Sequence, residues 1–214
     1  MNFPQRHWGP GLPGLMVPDP YAPLIAALGR SSAESSDFDL NPAVVLPPGR
    51  KLRPAGVLVP VFVRDDALRV VLTKRSSALK HHPGQIAFPG GKVDDGDADV
   101  FAAALREAHE EIGLPPGEVE VFGALPNHET VTGFAMTPVL GRIRADFVPI
   151  PEVGEVDEVF SVPMDHVMNP ARYSIQSRRW RGQRRYYYAV PYGPYYIWGA
   201  TARILWGLAD RMAR

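Results

Sequence analysis

Glu107, Glu110 and Glu111 stand at i, i+3 and i+4. On a helix that spacing puts three carboxylates on one face, with neighbouring Cβ atoms about 5–6 Å apart. Like charges so close repel one another and weaken an isolated helix. A sequence tolerates such a cluster where solvent disperses the charge or where a cation neutralises it. Hard oxygen donors grouped this way suit Mg²⁺ or Mn²⁺. A solvated acidic helix face is the plainer alternative, and the neighbouring residues decide between the two. The acids follow a glycine-rich turn, Phe88-Pro89-Gly90-Gly91-Lys92-Val93. Gly90 and Gly91 open backbone conformations closed to other residues and let a ligand approach closely; their carbonyls are further oxygen donors.

The elements that must position these groups are a loop, a helix and a second loop. Asp94, Gly96 and Asp97 are turn formers. Asp97 or Asp99 can cap a helix by accepting from its orphan N–H groups. The periodicity predicts a helix over 98–112, with Val100, Phe101, Ala104, Leu105 and Ala108 as its buried stripe. Gly113 ends it, and Pro115 and Pro116 forbid continuation. Arg106 lies i, i+4 from Glu110 and can pair with it; as an ordinary surface pair this would contribute little. Exposed glutamates titrate near about 4.3, so all three acids are expected to be ionised at neutral pH.

The run from Gly91 to Leu114 resembles the Nudix box, G-x5-E-x7-R-E-U-x-E-E-x-G-U with U a bulky apolar residue. Arg106, Glu107, Glu110, Glu111, Gly113 and Leu114 fall in register. Asp97 stands where the box has Glu, one extra residue precedes Arg106, and Ala108 is smaller than the usual apolar residue. Residues 71–91, VLTKRSSALKHHPGQIAFPGG, resemble the signature of the Nudix subgroup that cleaves coenzyme A. Leu72, Thr73, Arg75, Ser76, Gly84, Phe88, Pro89, Gly90 and Gly91 match in spacing. Val71 stands for Leu. Lys80 stands for Arg, keeping the charge but losing the planar fork. The added residue before Arg106 is a habit of that subgroup. Thr137–Gly141 and Ile197–Leu205 look like its later segments.

The resemblance implies an α/β Nudix fold, a mixed twisted β-sheet sandwiched between α-helices. It implies a pyrophosphatase dependent on Mg²⁺ or Mn²⁺ that cleaves coenzyme A and its derivatives to 3′,5′-ADP and 4′-phosphopantetheine. Glu107 and Glu111 are the expected metal ligands, with Glu110 as third ligand or outer-sphere partner. Arg75 and Lys80 are natural phosphate contacts, with Gly90 and Gly91 beside the substrate. The general base is expected on a distant loop, where Glu155 and Glu158 are candidates; Glu111 is another if it is not a ligand. His128 and Glu129 lie in a further loop. The adjacent His81 and His82 would point to opposite faces of a strand, and with no cysteine and no His-x3-His a zinc site is not expected. An ADP-ribose, dinucleotide or NDP-sugar diphosphatase is the alternative enzyme. A nucleotide- or RNA-binding regulator on the same scaffold is the alternative of another class.

Composition agrees with one well-buried domain. The 214 residues carry 23 Lys+Arg and 23 Asp+Glu, so no bulk field draws the chain to nucleic acid or membrane. The absence of cysteine excludes disulfides and thiol catalysis. No early apolar run resembles a signal peptide and no stretch is long enough to span a bilayer, so a cytoplasmic enzyme is expected. A homodimer is compatible with this reading. Residues 1–50 read as an N-terminal extension, irregular over its first 20 residues, with a short helix over 23–28 and a loop over 37–54. Residues 51–214 read as the Nudix domain, with strands at 57–63, 68–73, 86–88, 118–124, 136–143 and 156–162. A short helix follows at 164–168, a hairpin at 175–190 around Gly182, and a terminal helix at 201–212 whose apolar face is Ile204, Leu205 and Leu208. Residues 178–188 hold five arginines, Trp180 and three consecutive tyrosines. Such a mixture can bind single strands, but the stronger reading is an amphipathic hairpin with its aromatics packing inward and its arginines outward; a middle reading has this hairpin flank the substrate pocket, where an aromatic ring stacks on adenine.

Overall fold

The computed structural model describes residues 18–144, 146–180 and 182–214. Residues 1–17, most of the segment expected to be irregular, lie outside the described residues. In chain order the elements are α1 (Ala22–Leu28), β1 (Ser35–Ser36), β2 (Arg53–Arg64), β3 (Ala67–Arg75), β4 (Ile86–Ala87) and β5 (Gly90–Lys92). Then come α2 (Val100–Ile112), β6 (Val119–Ala124), β7 (His128–Glu129), β8 (Phe134–Ile143) and β9 (Val156–Pro163). The chain ends with α3 (Met164–Val167), β10 (Ser174–Trp180), β11 (Gln183–Ala189) and α4 (Ala200–Ala213). Among the described residues, β1–β9 form one mixed sheet and β10 with β11 a separate antiparallel pair.

Strand β2 is the spine. It runs parallel to β8 over Arg53–Val61 and antiparallel to β3 over Val61–Arg64. Its side chains alternate between two cores, as a strand buried on both faces requires. Val57, Val59 and Val61 face the core shared with Leu24, Leu205 and Leu208, while Leu58 faces Ala104, Ala108 and Ile112. Helix α2 therefore covers one face of the sheet, and α1, α3 and α4 the other. Ile204, Leu205 and Leu208 are buried as the periodicity predicts.

The edge of β2 nearest β3 is split. Residues 55–57 pair with β5, whereas residues 61–64 pair with β3. The Leu58 N–H donates to the Pro89 carbonyl at 2.8 Å across this edge. Pro60 has the same parity as Leu58, so its missing N–H falls in the gap between β5 and β3, where no ladder bond is lost. Residues 84–92 cross the split, pairing first with β3 and then with β2. That crossing hangs Gly90 and Gly91 in front of α2.

Several sequence expectations shift. Helix α2 begins at Val100, because Asp99 rather than Asp97 is the cap; its Oδ1 accepts from Ala102 N at 2.8 Å. The buried face is Ala103, Ala104, Ala108, Glu111 and Ile112, with Phe101 and Leu105 only half-buried. Small residues take the centre because the helix lies almost on the sheet backbone: a Cβ on Gly56 would sit 2.2 Å from Val100 O. Arg53 and Pro54, expected in a loop, extend β2 by pairing with Phe134 and Ala135 of β8. His128 and Glu129, also expected in a loop, pair with β1 and β8. Strands of two residues are too short for any periodicity to reveal. Phe88 follows β4 instead of belonging to it, and is buried at the crossing.

Replacing Gly56 by Ala must lift α2 from β2, because the colliding atom is backbone. The Gly56→Ala protein should lose about 1–3 kcal/mol of stability, read as a lower urea midpoint at unchanged m-value.

Candidate active site

Arg106 joins the loop after β5 to α2. Its Nε and Nη2 donate to the two carboxylate oxygens of Asp97, both at 2.9 Å, the planar fork-to-fork pairing that only arginine makes. Its Nη1 donates to Glu107 Oε1 at 3.0 Å and to Glu110 Oε2 at 2.8 Å, and Nη2 reaches the Lys92 carbonyl at 3.2 Å. The Arg106 hydrogen bonds hold the Asp97 carboxyl down at about 2. Asp97 is thus the anchor of Arg106, a role its turn-forming character did not reveal; its spacing of nine from Arg106 was the available signal.

Glu110 is drawn outward by this guanidinium, its side chain 54% exposed. The three acids therefore do not converge as the i, i+3, i+4 spacing suggests. Among the described residues no three acidic or histidine side chains gather into a cation cage. Glu107 and Glu111 are the two carboxylates at the glycine turn. The Glu107 carboxylate lies so close to Gly91 that a Cβ there would meet its Oε1 at 2.5 Å. Glu111 Oε2 accepts from Gly90 N at 3.1 Å, and Arg75 Nη1 stands 3.9 Å from its Oε1.

Glu111 is only 5% exposed. Burial pushes its carboxyl up to about 7; the Gly90 hydrogen bond and the Arg75 charge pull it down, while Glu107 and Glu155 push it further up. Burial also raises Glu107, against the pull of Arg106 and with Glu110 and Glu155 adding to the rise. The expectation of three exposed, fully ionised glutamates is thus corrected: one is exposed, one half-buried and one buried with too little positive charge around it. A hard divalent cation fits this pair, because it supplies the missing charge to oxygen donors already gathered at one turn.

The acidic loop before β9 is stitched to the same place. Glu152 N donates to Glu111 O at 2.9 Å, Ile150 N to Ile112 O at 2.9 Å and Ser76 N to Glu155 O at 2.8 Å. Glu155 is exposed, and its charge acts on both Glu107 and Glu111. Glu158 does not join them. It shares a β9 face with Phe160 and Val162 in the α4-side core, whereas Val159 faces α2, and its carboxylate accepts from the Tyr195 hydroxyl.

Arg75 ends β3, and Lys80 is exposed on the loop that follows. His81 and His82 lie in that loop rather than in a strand, with His82 at φ 54°. His128 is fully buried, its Nδ1 2.9 Å from Ser35 Oγ and its Nε2 3.2 Å from Asp37 Oδ1, and Glu129 pairs with Arg50. His128 thus holds β7 to the segment around β1 and Glu129 ties it to the stretch before β2; both stand outside the carboxylate pair's contacts.

Residues 52–181 match the NUDIX domain family. Over 157 residues the chain is 45% identical to the Nudix hydrolase NudL of Enterobacter sp. (strain 638), covering 73% of this chain and 81% of that one. Identity and coverage are the same for the NudL of Cronobacter sakazakii (strain ATCC BAA-894). A MutT/nudix family protein from Enterococcus faecalis, solved by crystallography, shares the fold with a TM-score of 0.51 at 16% identity, over 80% of this chain and 66% of that one.

The raised carboxyl of Glu111 fixes a pH dependence. Between about 4.5 and about 7 the folded protein holds a proton that the unfolded chain has released. The stabilising contribution is therefore complete below that window and lost as pH rises through it. In chelator, wild type should lose on the order of 3 kcal/mol relative to Glu111→Gln between pH 5 and 8. Parallel denaturation series of the two proteins read this difference; curves that stay parallel would contradict it.

Proposed function

We propose, on the premise that this chain belongs to the Nudix hydrolase family, that it hydrolyses the diphosphate of coenzyme A and its derivatives to 3′,5′-ADP and 4′-phosphopantetheine. The observation that carries this reading is the Glu107–Glu111 pair seated on Gly90–Gly91, with Arg75 against Glu111. Those groups lie within or directly against the run 71–91, whose spacing resembles the coenzyme A-cleaving signature. The reading has the enzyme act on a small soluble nucleotide in the cytoplasm. Among the described residues no helix is long and apolar enough to cross a membrane.

A diphosphate resists water because its oxygens carry negative charge. Glu107 and Glu111 would hold Mg²⁺ or Mn²⁺, with Glu110, kept at the rim by Arg106, as outer-sphere partner. When bound, such an ion neutralises charge on the diphosphate oxygens and acidifies a water. Arg75 neutralises a further phosphate oxygen from the β3 side, and Lys80 does so from the adjoining loop. Gly90 and Gly91, without side chains, admit strand β2 and the Glu107 carboxylate to the turn and so seat the pair beside the substrate. Glu155 is the better of the two loop candidates for taking the proton of the attacking water, since its charge is felt by both ligands while Glu158 is engaged by Tyr195. The water oxygen bonds to phosphorus, the bridging P–O bond breaks, and the departing phosphate keeps the electron pair.

Product analysis by mass spectrometry tests the reading. With millimolar Mg²⁺, coenzyme A should yield 3′,5′-ADP and 4′-phosphopantetheine, and chelator should abolish both. Cleavage of ADP-ribose but not coenzyme A would discard the substrate assignment and keep the metal site. Glu111→Gln should lower kcat by about 100-fold or more while ligand still binds; a regulator would have no turnover to lose. Gly91→Ala should fold normally, since the displaced atom is the end of a flexible side chain. It should need about 10-fold more Mg²⁺ for half-maximal rate.

A further inference from the structure

The substrate proposed above carries a phosphate monoester on its ribose besides the diphosphate, and the basic–aromatic surface of the C-terminal segment lies beside the loop that follows Arg75. Close contacts fix this neighbourhood. Arg75 N donates to Gln85 O at 3.0 Å. A Cβ on Gly199 would lie 3.7 Å from Gln85 Nε2, and the Thr201 hydroxyl donates to Ile86 O at 3.1 Å. Trp198 immediately precedes Gly199 and bridges to Ala189 at the end of β11. His82, in the loop after Arg75, lies within the electrostatic reach of both clusters. Burial lowers its pKa, the Arg75 charge adds to this, and Arg178 contributes too, so one imidazole feels both guanidiniums.

Arg178, on exposed β10, lies over the Trp198 ring with its guanidinium carbon 4.2 Å from the centroid. Tyr187 flanks the same indole, 5.0 Å away and inclined by 59°, and its hydroxyl stands 3.5 Å from that of half-exposed Tyr196. Among the described residues Arg178 meets no carboxylate. A guanidinium held against an aromatic face keeps its N–H edge free, and part of the entropy of ordering it is already spent. That edge matches a phosphate dianion in geometry and charge. The rings beside it match the flat apolar face of a purine.

We propose that Arg178, positioned by Trp198, binds the ribose phosphate monoester of the substrate, with Tyr187 and Tyr196 beside the adenine. This assignment rests on the coenzyme A reading. It makes Arg178 a specificity-determining residue: it distinguishes a nucleotide that carries the extra phosphate from one that lacks it. Trp198 acts through Arg178 and is a positioning residue.

The kinetic test compares coenzyme A with 3′-dephospho-coenzyme A. In wild type the ratio of their kcat/KM values should favour coenzyme A. Arg178→Ala should collapse that ratio by about 10- to 100-fold, mainly through KM, and Arg178→Lys should restore part of it. Trp198→Leu should lower the ratio by a smaller factor. An equilibrium arm separates this subsite from the reaction assignment: titration calorimetry of wild type and Arg178→Ala with adenosine 3′,5′-bisphosphate and with AMP. A bisphosphate preference lost in Arg178→Ala upholds the subsite even if coenzyme A is not cleaved. A preference unchanged in both Arg178 variants, or absent from wild type, overturns it. Tight binding of a single-stranded oligonucleotide without that preference would instead assign the surface to nucleic acid.

Discussion

Helix α2 reaches the sheet, and the glycine turn reaches β2, because three positions between them carry no side chain. At Gly56 a Cβ would strike the Val100 carbonyl, at Gly90 the backbone of Gly56 and Val57, and at Gly91 the carboxylate of Glu107. This close approach lowers the glutamates onto the glycine turn. It also explains why alanines occupy the centre of the helix's buried face. The turn arrives at that point because β2 exchanges β3 for β5 along one edge, and Pro60 marks the place where a ladder donor is not required. A packing constraint, a break in pairing and the seat of the carboxylates are thus one arrangement.

The electrostatics of the box follow from how two arginines share three acids. Arg106 is saturated: Asp97 takes its fork, and Glu107 and Glu110 share its remaining edge. Arg75 only approaches Glu111, at 3.9 Å. Burial without full compensation is costly for a carboxylate, which then keeps its proton to higher pH. Removing a single nearby charge would ease that cost, yet Glu107 and Glu155 both make it worse. Such an arrangement is poorly suited to stability and well suited to receiving positive charge, the kind of local conflict that accompanies a functional site.

Around this centre the chain closes from two directions. The loop before β9 is bonded to the C-terminal end of α2 and to Ser76, which sets Glu155 in reach of the pair's field. Gly199 and the first turn of α4 pack on Gln85 and Ile86, so the C-terminal aromatics and Arg178 border the loop after β3. Residues more than a hundred positions apart in the chain thereby meet at one loop.

By itself the sequence determined the family-level outline: helix α2 with its stop at Gly113, the glycine turn before it, the strands β2 and β3, and the acid-rich motif at its box-like spacing. These are legible because they depend on local periodicity, capping and turn chemistry, each written within a few residues. Tertiary structure alone decided which acids lie together. The i, i+3, i+4 spacing treats Glu107, Glu110 and Glu111 as equals, but Arg106 takes Glu110 outward, and burial against Gly90 singles out Glu111. Likewise Glu155 and Glu158 are indistinguishable in an acidic run until strand parity turns Glu158 to the opposite face of the sheet. Burial, charge compensation and the side of a sheet are properties of contacts between distant segments, and no local pattern of residues encodes them.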